Sequence, residues 1–439
     1  MRQAVRLFAV VVTVSAVALV VHSSRRLRAA EHADGETVSS VTRVVAPTAA
    51  KAVAPENPLE GLDLTRITLA GGVEVAPLPK GRTAQLTLDP TLQETVEKVV
   101  ASHKFHEAAV VMIDAETGDV IAYASSLANG APRDLCIEAT APPASLFKIV
   151  TASALIRNMG AGPETRECYR RLASHKLIAQ DLIESPARDH ICSTMAIAMG
   201  KSINPVFARL ASHHLTPPQL LAEARQFGFG EPFAFDVPVQ MSRIDLPSDP
   251  LGFAQTAAGF WHTTISPIAA ASMSTTIARG GETIRPRIVR SVLSADKRVI
   301  YTEPPPSIAR AMPPTAARSI ATMMEATVRV GTARRAFHPS RASDPLRNIV
   351  VAGKTGTLTD RERARFYTWF TGFAPVGAAD GNKRHQVSIA VLVVNGPVWH
   401  TRATTIAHDL LGAAYNSRTL SAQPALSATI AAEKRPASP

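Results

Sequence analysis

The sequence predicts an α+β fold, and three kinds of segment predict it. Residues 108–114 and 120–125 are apolar, strand-like runs joined by the turn Glu116-Thr117-Gly118, which reads as a β-hairpin. Residues 366–375 and 387–394 supply two more strand-like runs late in the chain. Helical patterns lie between and after them. One follows Pro142-Pro143-Ala144, carries Leu146, Ile149, Val150, Leu155 and Ile156, and ends near Gly160. Residues 315–330 read as a further helix after Glu303-Pro304-Pro305-Pro306 and Pro313-Pro314, and residues 403–415 as a closing one.

Taken in order, the chain opens with Arg2 and Arg6, then an apolar run over residues 7–21 interrupted only by Thr13 and Ser15. Its length suits a signal-peptide core or a short membrane anchor. Arg28 fills the first position of the only Ala-containing cleavage candidate, so an uncleaved anchor is expected. Arginines flank both ends, so charge does not set its orientation. The organisation expected is a tail over residues 1–6, an anchor over 7–22 and a juxtamembrane linker over 23–80. The main domain then spans 81–420, with a disordered tail over 421–439. The linker includes residues 31–60, which are rich in Ala, Val and Pro without a sustained period and suit a tether. The end of the chain is of low complexity.

With 439 residues and 46% hydrophobic content, the chain can bury one large domain core. The formal net charge is +11, with Lys and Arg dispersed and no zinc-finger, nucleic-acid or P-loop signature. A nucleic-acid partner is therefore not expected. Anionic envelope polymers, lipid headgroups or a plain solvated surface account for the charge. Of three cysteines, Cys168 and Cys192 flank one segment and Cys136 lies apart. A Cys168–Cys192 disulfide, a metal site and simple buried thiols are all open. His103 and His106 are three apart and His213 and His214 adjacent, with no His-Glu-x-x-His pattern, so neither a metal nor a cofactor is expected.

Three short motifs carry the chemistry: Ser145-Leu146-Phe147-Lys148, Ser202-Ile203-Asn204 and Lys354-Thr355-Gly356. A chain of this length holds roughly one Ser-x-x-Lys by chance, and Ser294-Ala295-Asp296-Lys297 is such a decoy, set in polar turn composition between strand-like runs. Ser145 stands instead at an expected helix start, where free N–H groups and the helix dipole converge. Lys148, three residues on, shares its face, so an amine can reach the hydroxyl. The chain has a single Ser-x-Asn and a single Lys-Thr-Gly. In this order the trio describes an active-site serine acyltransferase.

With its flanks, the trio resembles the transpeptidase domain of penicillin-binding proteins, from about Thr83 to Tyr415. Leu86-Thr87-Leu88-Asp89-Pro90 is similar to the family's strand-to-helix entry, and Trp369-Phe370-Thr371-Gly372-Phe373-Ala374-Pro375 to its W-F-x-G-(Y/F)-x-P strand. The resemblance implies a mainly antiparallel five-stranded sheet covered by helices, with a helical subdomain carrying Ser145 and Ser202. It also implies a class B-like architecture of reduced N-terminal size, since the linker leaves no room for a glycosyltransferase domain or a large pedestal. The implied activity is peptidoglycan D,D-transpeptidation on stem peptides ending in D-Ala-D-Ala, with β-lactams as acylating inhibitors. D,D-carboxypeptidase, a class D-like β-lactamase and a non-hydrolysing β-lactam sensor or scaffold are the alternatives. The implied roles are nucleophile for Ser145, base for Lys148 and proton relay for Ser202. Asn204, Lys354, Thr355, Gly356 and Thr357 would bind substrate, and the N–H groups of Ser145 and Thr357 would form the oxyanion hole. The implied location is the outer side of the cytoplasmic membrane, with other wall-synthesis proteins as potential partners. Trp369 is expected in the core, and residues 360–365 as a solvated strand connection.

Overall fold

The structure, a computed structural model, describes residues 57–103, 105–170, 176–338, 343–376, 385–396 and 401–416. The expected membrane anchor, both expected tails and the linker before residue 57 lie outside the described residues. Among the described residues no helix is long and apolar enough to cross a membrane.

In chain order, β1 (Thr68–Ala70), β2 (Val73–Pro77) and β3 (Thr83–Leu86) lead into α1 (Pro90–Ala101). Asp89 caps α1 by accepting from Leu92 N at 2.9 Å, and Pro90 takes the first turn, where its missing N–H leaves nothing unpaired. β4 (Glu107–Asp114) and β5 (Val120–Leu127) form the predicted hairpin. A mostly helical stretch follows: α2 (Lys148–Met159), β6 (Arg166–Tyr169), β7 (Ile191–Thr194), α3 (Met195–Lys201), α4 (Asn204–His214), α5 (Pro217–Gln226), β8 (Arg243–Ile244), α6 (Pro250–Ala257), β9 (Thr263–Thr264) and α7 (Pro267–Ala278). Next come β10 (Glu282–Ile284), β11 (Val289–Leu293), β12 (Val299–Thr302) and β13 (Ile308–Arg310), then α8 (Pro314–Arg329) and α9 (Arg334–Phe337). The chain closes with β14 (Ala352–Asp360), β15 (Arg365–Ala374), β16 (Val387–Asn395) and α10 (Ala403–Asn416).

The main sheet has the order β14-β15-β16-β4-β5, antiparallel throughout. Alternation along β4 divides two cores. Ala108, Val110 and Met112 face the cluster built on α1 and α10, whereas Ala109, Val111 and Ile113 face the cluster that includes α2, α7 and α8. Both faces are covered, so β4 and β16 are buried along their whole length. That is why these strands read as continuous apolar runs rather than alternating ones. β14 is left at an edge, with α8 packed against it and α3 packed in turn on α8.

Two expectations are corrected. A second five-stranded sheet, β1-β2-β3-β11-β12, begins at Thr68, so residues 57–80 are folded structure and not linker. Its strands are short and β1 is exposed at every residue, so no buried apolar run announced it. Secondly, Ser145 does not cap an α-helix. It lies within a 3-10 turn, Ala144–Phe147, that precedes α2, and Ala144 takes a left-handed φ of 50°. Gly160 ends α2 in the left-handed conformation expected of a glycine cap.

Candidate active site

Chain segments far apart in sequence meet around Ser145. The turn that bears it is clamped from two sides. Trp369 Nε1 donates to the Pro142 carbonyl at 2.9 Å, so the indole, buried as expected, fixes the run into the turn. Gly259 presses from the end of α6: a Cβ there would lie 2.4 Å from the Ala144 carbonyl oxygen, and its φ is +86°. Both the close approach and the backbone conformation demand glycine at that position. The clamp holds Ala144 in a conformation that costs roughly 1–3 kcal/mol for a residue with a Cβ.

Lys148 is fully buried, one turn beyond Ser145. Its Nζ lies 2.8 Å from Ser145 Oγ and 2.7 Å from Asn204 Oδ1, and it also contacts the Ala258 carbonyl oxygen. Two of these three partners can only accept. A neutral amine therefore gives its two hydrogens to Asn204 and Ala258, leaving its lone pair for the Ser145 hydroxyl proton. Burial pushes the Lys148 ammonium well below its usual range, and the charge of Lys354 pushes it further. Both effects favour the neutral form, in which the lone pair is left to face Ser145.

Lys354 is also fully buried, which excludes a plain surface lysine. Its Nζ donates to the Thr355 carbonyl at 2.9 Å and to Ser202 Oγ at 3.1 Å. Burial lowers its pKa to about 7. Ser202 ends α3 with a left-handed φ of 57°, and Asn204 opens α4. Gly356 brings β14 onto the nucleophile's turn, because a Cβ there would sit 2.7 Å from the Pro143 carbonyl oxygen. The next residue, Thr357, is exposed on the same edge strand.

The structure thus brings Ser145, Lys148 and Asn204 into contact, joins Ser202 to Lys354, and lays Gly356 of the same strand against the turn that bears Ser145. Ala258, Gly259 and Thr332 belong to the same cluster and were not singled out from sequence. Thr332 Oγ1 lies 2.5 Å from Thr355 Oγ1. No local pattern marks any of the three, since their partners lie far away along the chain. The decoy Ser294 sits in the turn between β11 and β12, its hydroxyl on Asp296, and plays no part. Cys168 and Cys192 face each other across the β6–β7 pair and form a disulfide, while Cys136 is a buried free thiol.

The model of the penicillin binding protein transpeptidase domain matches residues 108–409. The chain belongs to that family. A curated relative from Mycobacterium tuberculosis (strain CDC 1551 / Oshkosh), named peptidoglycan D,D-transpeptidase PbpA, is 26% identical over 352 residues, covering 72% of this chain and 68% of the relative. Penicillin-binding protein PbpB of Mycolicibacterium smegmatis is 25% identical over 323 residues, covering 67% of this chain and 48% of its own length. Among solved structures, the imipenem acyl-enzyme complex of penicillin-binding protein A from M. tuberculosis superposes with a TM-score of 0.61 at 24% identity, covering 75% of this chain and 79% of that one. The apo form of penicillin-binding protein 3 from the same organism gives 0.62 at 21% identity, covering 84% and 91%. These likenesses support the α+β fold with its antiparallel five-stranded sheet.

Proposed function

We propose that this chain is a peptidoglycan D,D-transpeptidase acting through an acyl-enzyme on Ser145, and that β-lactams acylate the same residue. The observation that carries the proposal is the placement of Lys148 Nζ, 2.8 Å from Ser145 Oγ, with its two hydrogens accounted for elsewhere. Serine is a weak nucleophile until a base takes its proton. Lys148 takes that proton as Oγ attacks the carbonyl carbon of the penultimate D-Ala. The developing oxyanion is held by the N–H groups of Ser145 and Thr357. As the intermediate collapses, the C–N bond breaks and the terminal D-Ala amine leaves with a proton passed from Lys148 through the Ser202 hydroxyl. An acceptor amine then attacks the ester, forming the cross-link and returning the proton to Ser145. Asn204 orients the substrate backbone, and Lys354, Thr355 and Thr357 receive the terminal carboxylate.

Benzylpenicillin treatment followed by peptide mass spectrometry is expected to place one penicilloyl adduct on the tryptic peptide containing Ser145. An adduct on Ser202 or Ser294 overturns the assignment.

The same reading proposes residues 7–22 as a single-pass anchor and puts the catalytic domain outside the cytoplasmic membrane. Stem peptides and the membrane are then its immediate partners, and other wall-synthesis proteins share its location. Alkaline phosphatase fused after residue 56 is expected to be active and to sediment with membranes. An inactive fusion reverses the topology, and an active but soluble one makes the segment a cleaved signal.

A further inference from the structure

Thr332 lies in the short link between α8 and α9, outside all three motifs. Its position is set by a close backbone crossing. A Cβ on Gly331 would fall 2.0 Å from the Gly200 carbonyl oxygen, and one on Gly200 would fall 2.8 Å from the Ala326 carbonyl carbon and oxygen. Only glycines permit that approach, which packs α3 on the end of α8. It lets Thr332 N donate to the Gly200 carbonyl at 3.0 Å, two residues before Ser202. On its other side, Thr332 Oγ1 lies 2.5 Å from Thr355 Oγ1. Thr332 therefore touches both the segment that carries Ser202 and the strand that carries Lys354 and Thr355.

The direction of the hydroxyl–hydroxyl bond depends on what stands in front of Thr355. Thr332 Oγ1 has one hydrogen and two acceptors in view: Thr355 Oγ1 at 2.5 Å and the Gly200 carbonyl oxygen at 3.4 Å. The Gly200 carbonyl already receives the Thr332 N–H, and 3.4 Å is long for an O–H···O bond. That carbonyl still has a second lone pair, so the hydroxyl–hydroxyl bond can run either way in the free protein. With an anion in front of Thr355, Thr332 donates to Thr355, and the Thr355 hydrogen is left for the anion. Without Thr332, the Thr355 hydroxyl can rotate to spend that hydrogen elsewhere.

We infer that Thr332 is a positioning residue that holds the Thr355 hydroxyl as a donor toward the carboxylate of the substrate. The inference rests on the proposed function, in which Thr355 meets that carboxylate. It makes the recognition of the anionic terminus depend on a residue of the α8–α9 link. Thr332 is itself exposed, so an isosteric change there disturbs no core packing.

The test is acylation of the full-length chain by benzylpenicillin and by its methyl ester, which lacks the anion. Thr332→Val keeps the shape and removes the hydroxyl. It is expected to slow acylation by the free acid about 10- to 100-fold, as for loss of a hydrogen bond to a charged group. Acylation by the ester should stay within about threefold of wild type, and so should Thr332→Ser with both compounds. A merely structural role would slow acid and ester alike. Thr355→Val should match Thr332→Val, and the double variant should lose no more than either single one, because both remove the same interaction. If Thr332→Val does not fold, Thr332→Ala is read in the same way. Equal losses on acid and ester, or additive losses in the double variant, overturn the inference while leaving the proposed function standing. A wild-type chain that benzylpenicillin does not acylate on Ser145 overturns the proposed function instead.

Discussion

Lys148→Ala is expected to slow β-lactam acylation of Ser145 by about 10²- to 10⁴-fold, the usual worth of a positioned general base. The expectation follows from the hydrogen-bond account at Nζ. Asn204 Oδ1 and the Ala258 carbonyl oxygen take the two hydrogens of a neutral amine, and among the described residues no carboxylate or histidine is hydrogen-bonded to Ser145 that could replace it. The pH profile of wild type gives a second check, with a definite sign. Acylation needs Lys148 neutral, so the rate should climb as pH rises through the lowered pKa of that group. Recognition of an anionic terminus needs Lys354 cationic, so a falling limb should appear as pH passes about 7, displaced upward when a bound carboxylate stabilises the charge. The rising limb should vanish in Lys148→Ala and the falling limb remain. Stop-flow labelling across pH measures both, and melting temperature establishes that the variant is folded. Near-normal acylation in a folded Lys148→Ala protein means that another group is the base.

The parts of this molecule that were legible in its sequence are those encoded locally. The β4–β5 hairpin shows through its apolar runs and Gly118 turn, and β16 through its continuous hydrophobicity. Ser145 and Lys148 are three residues apart, so helical geometry alone predicts their meeting. What stayed hidden depends on distant contacts. The Ala258 carbonyl that takes one Lys148 hydrogen is 110 residues away from it, and Ser202 is 152 residues from Lys354. Gly200, Gly259 and Gly331 are ordinary glycines until the backbone each one admits is known. β1 was missed because a three-residue, fully exposed edge strand carries no hydrophobic pattern. The 3-10 turn at Ser145 reads as an α-helix start in the sequence, because neither the left-handed Ala144 nor the close approach of Gly259 to its carbonyl leaves a local pattern.

The penicilloyl adduct on Ser145 is expected to persist for many minutes to hours, which makes the chain a target of β-lactams and not an enzyme of resistance. Rapid deacylation needs a group that activates water beside the ester. Class A β-lactamases use a glutamate in a Glu-x-x-x-Asn loop between the second and third motifs, and no such pattern lies between Asn204 and Lys354. Ser145, Lys148, Asn204, Ser202, Lys354 and Thr355 bond to one another, to Thr332 and to backbone carbonyls, with no carboxylate hydrogen-bonded to any of them among the described residues. A class D-like device, a carbamylated lysine in an apolar pocket, does not suit Lys148 either. Its amine is enclosed by Asn204 Oδ1 and the Ala258 carbonyl, polar partners that make the surroundings of Nζ unlike an apolar pocket. Water attacking the ester therefore has only Lys148 as a base, and Lys148 serves the amine acceptor as well. Compared with the millisecond turnover of a β-lactamase, a lifetime of minutes to hours corresponds to a barrier about 7–8 kcal/mol higher, at about 1.36 kcal/mol per tenfold. Labelling the protein with fluorescent penicillin, removing the excess and following loss of the adduct measures the rate directly. Turnover of benzylpenicillin at several per second would reveal a water-activating group that the bonds around Ser145 do not contain.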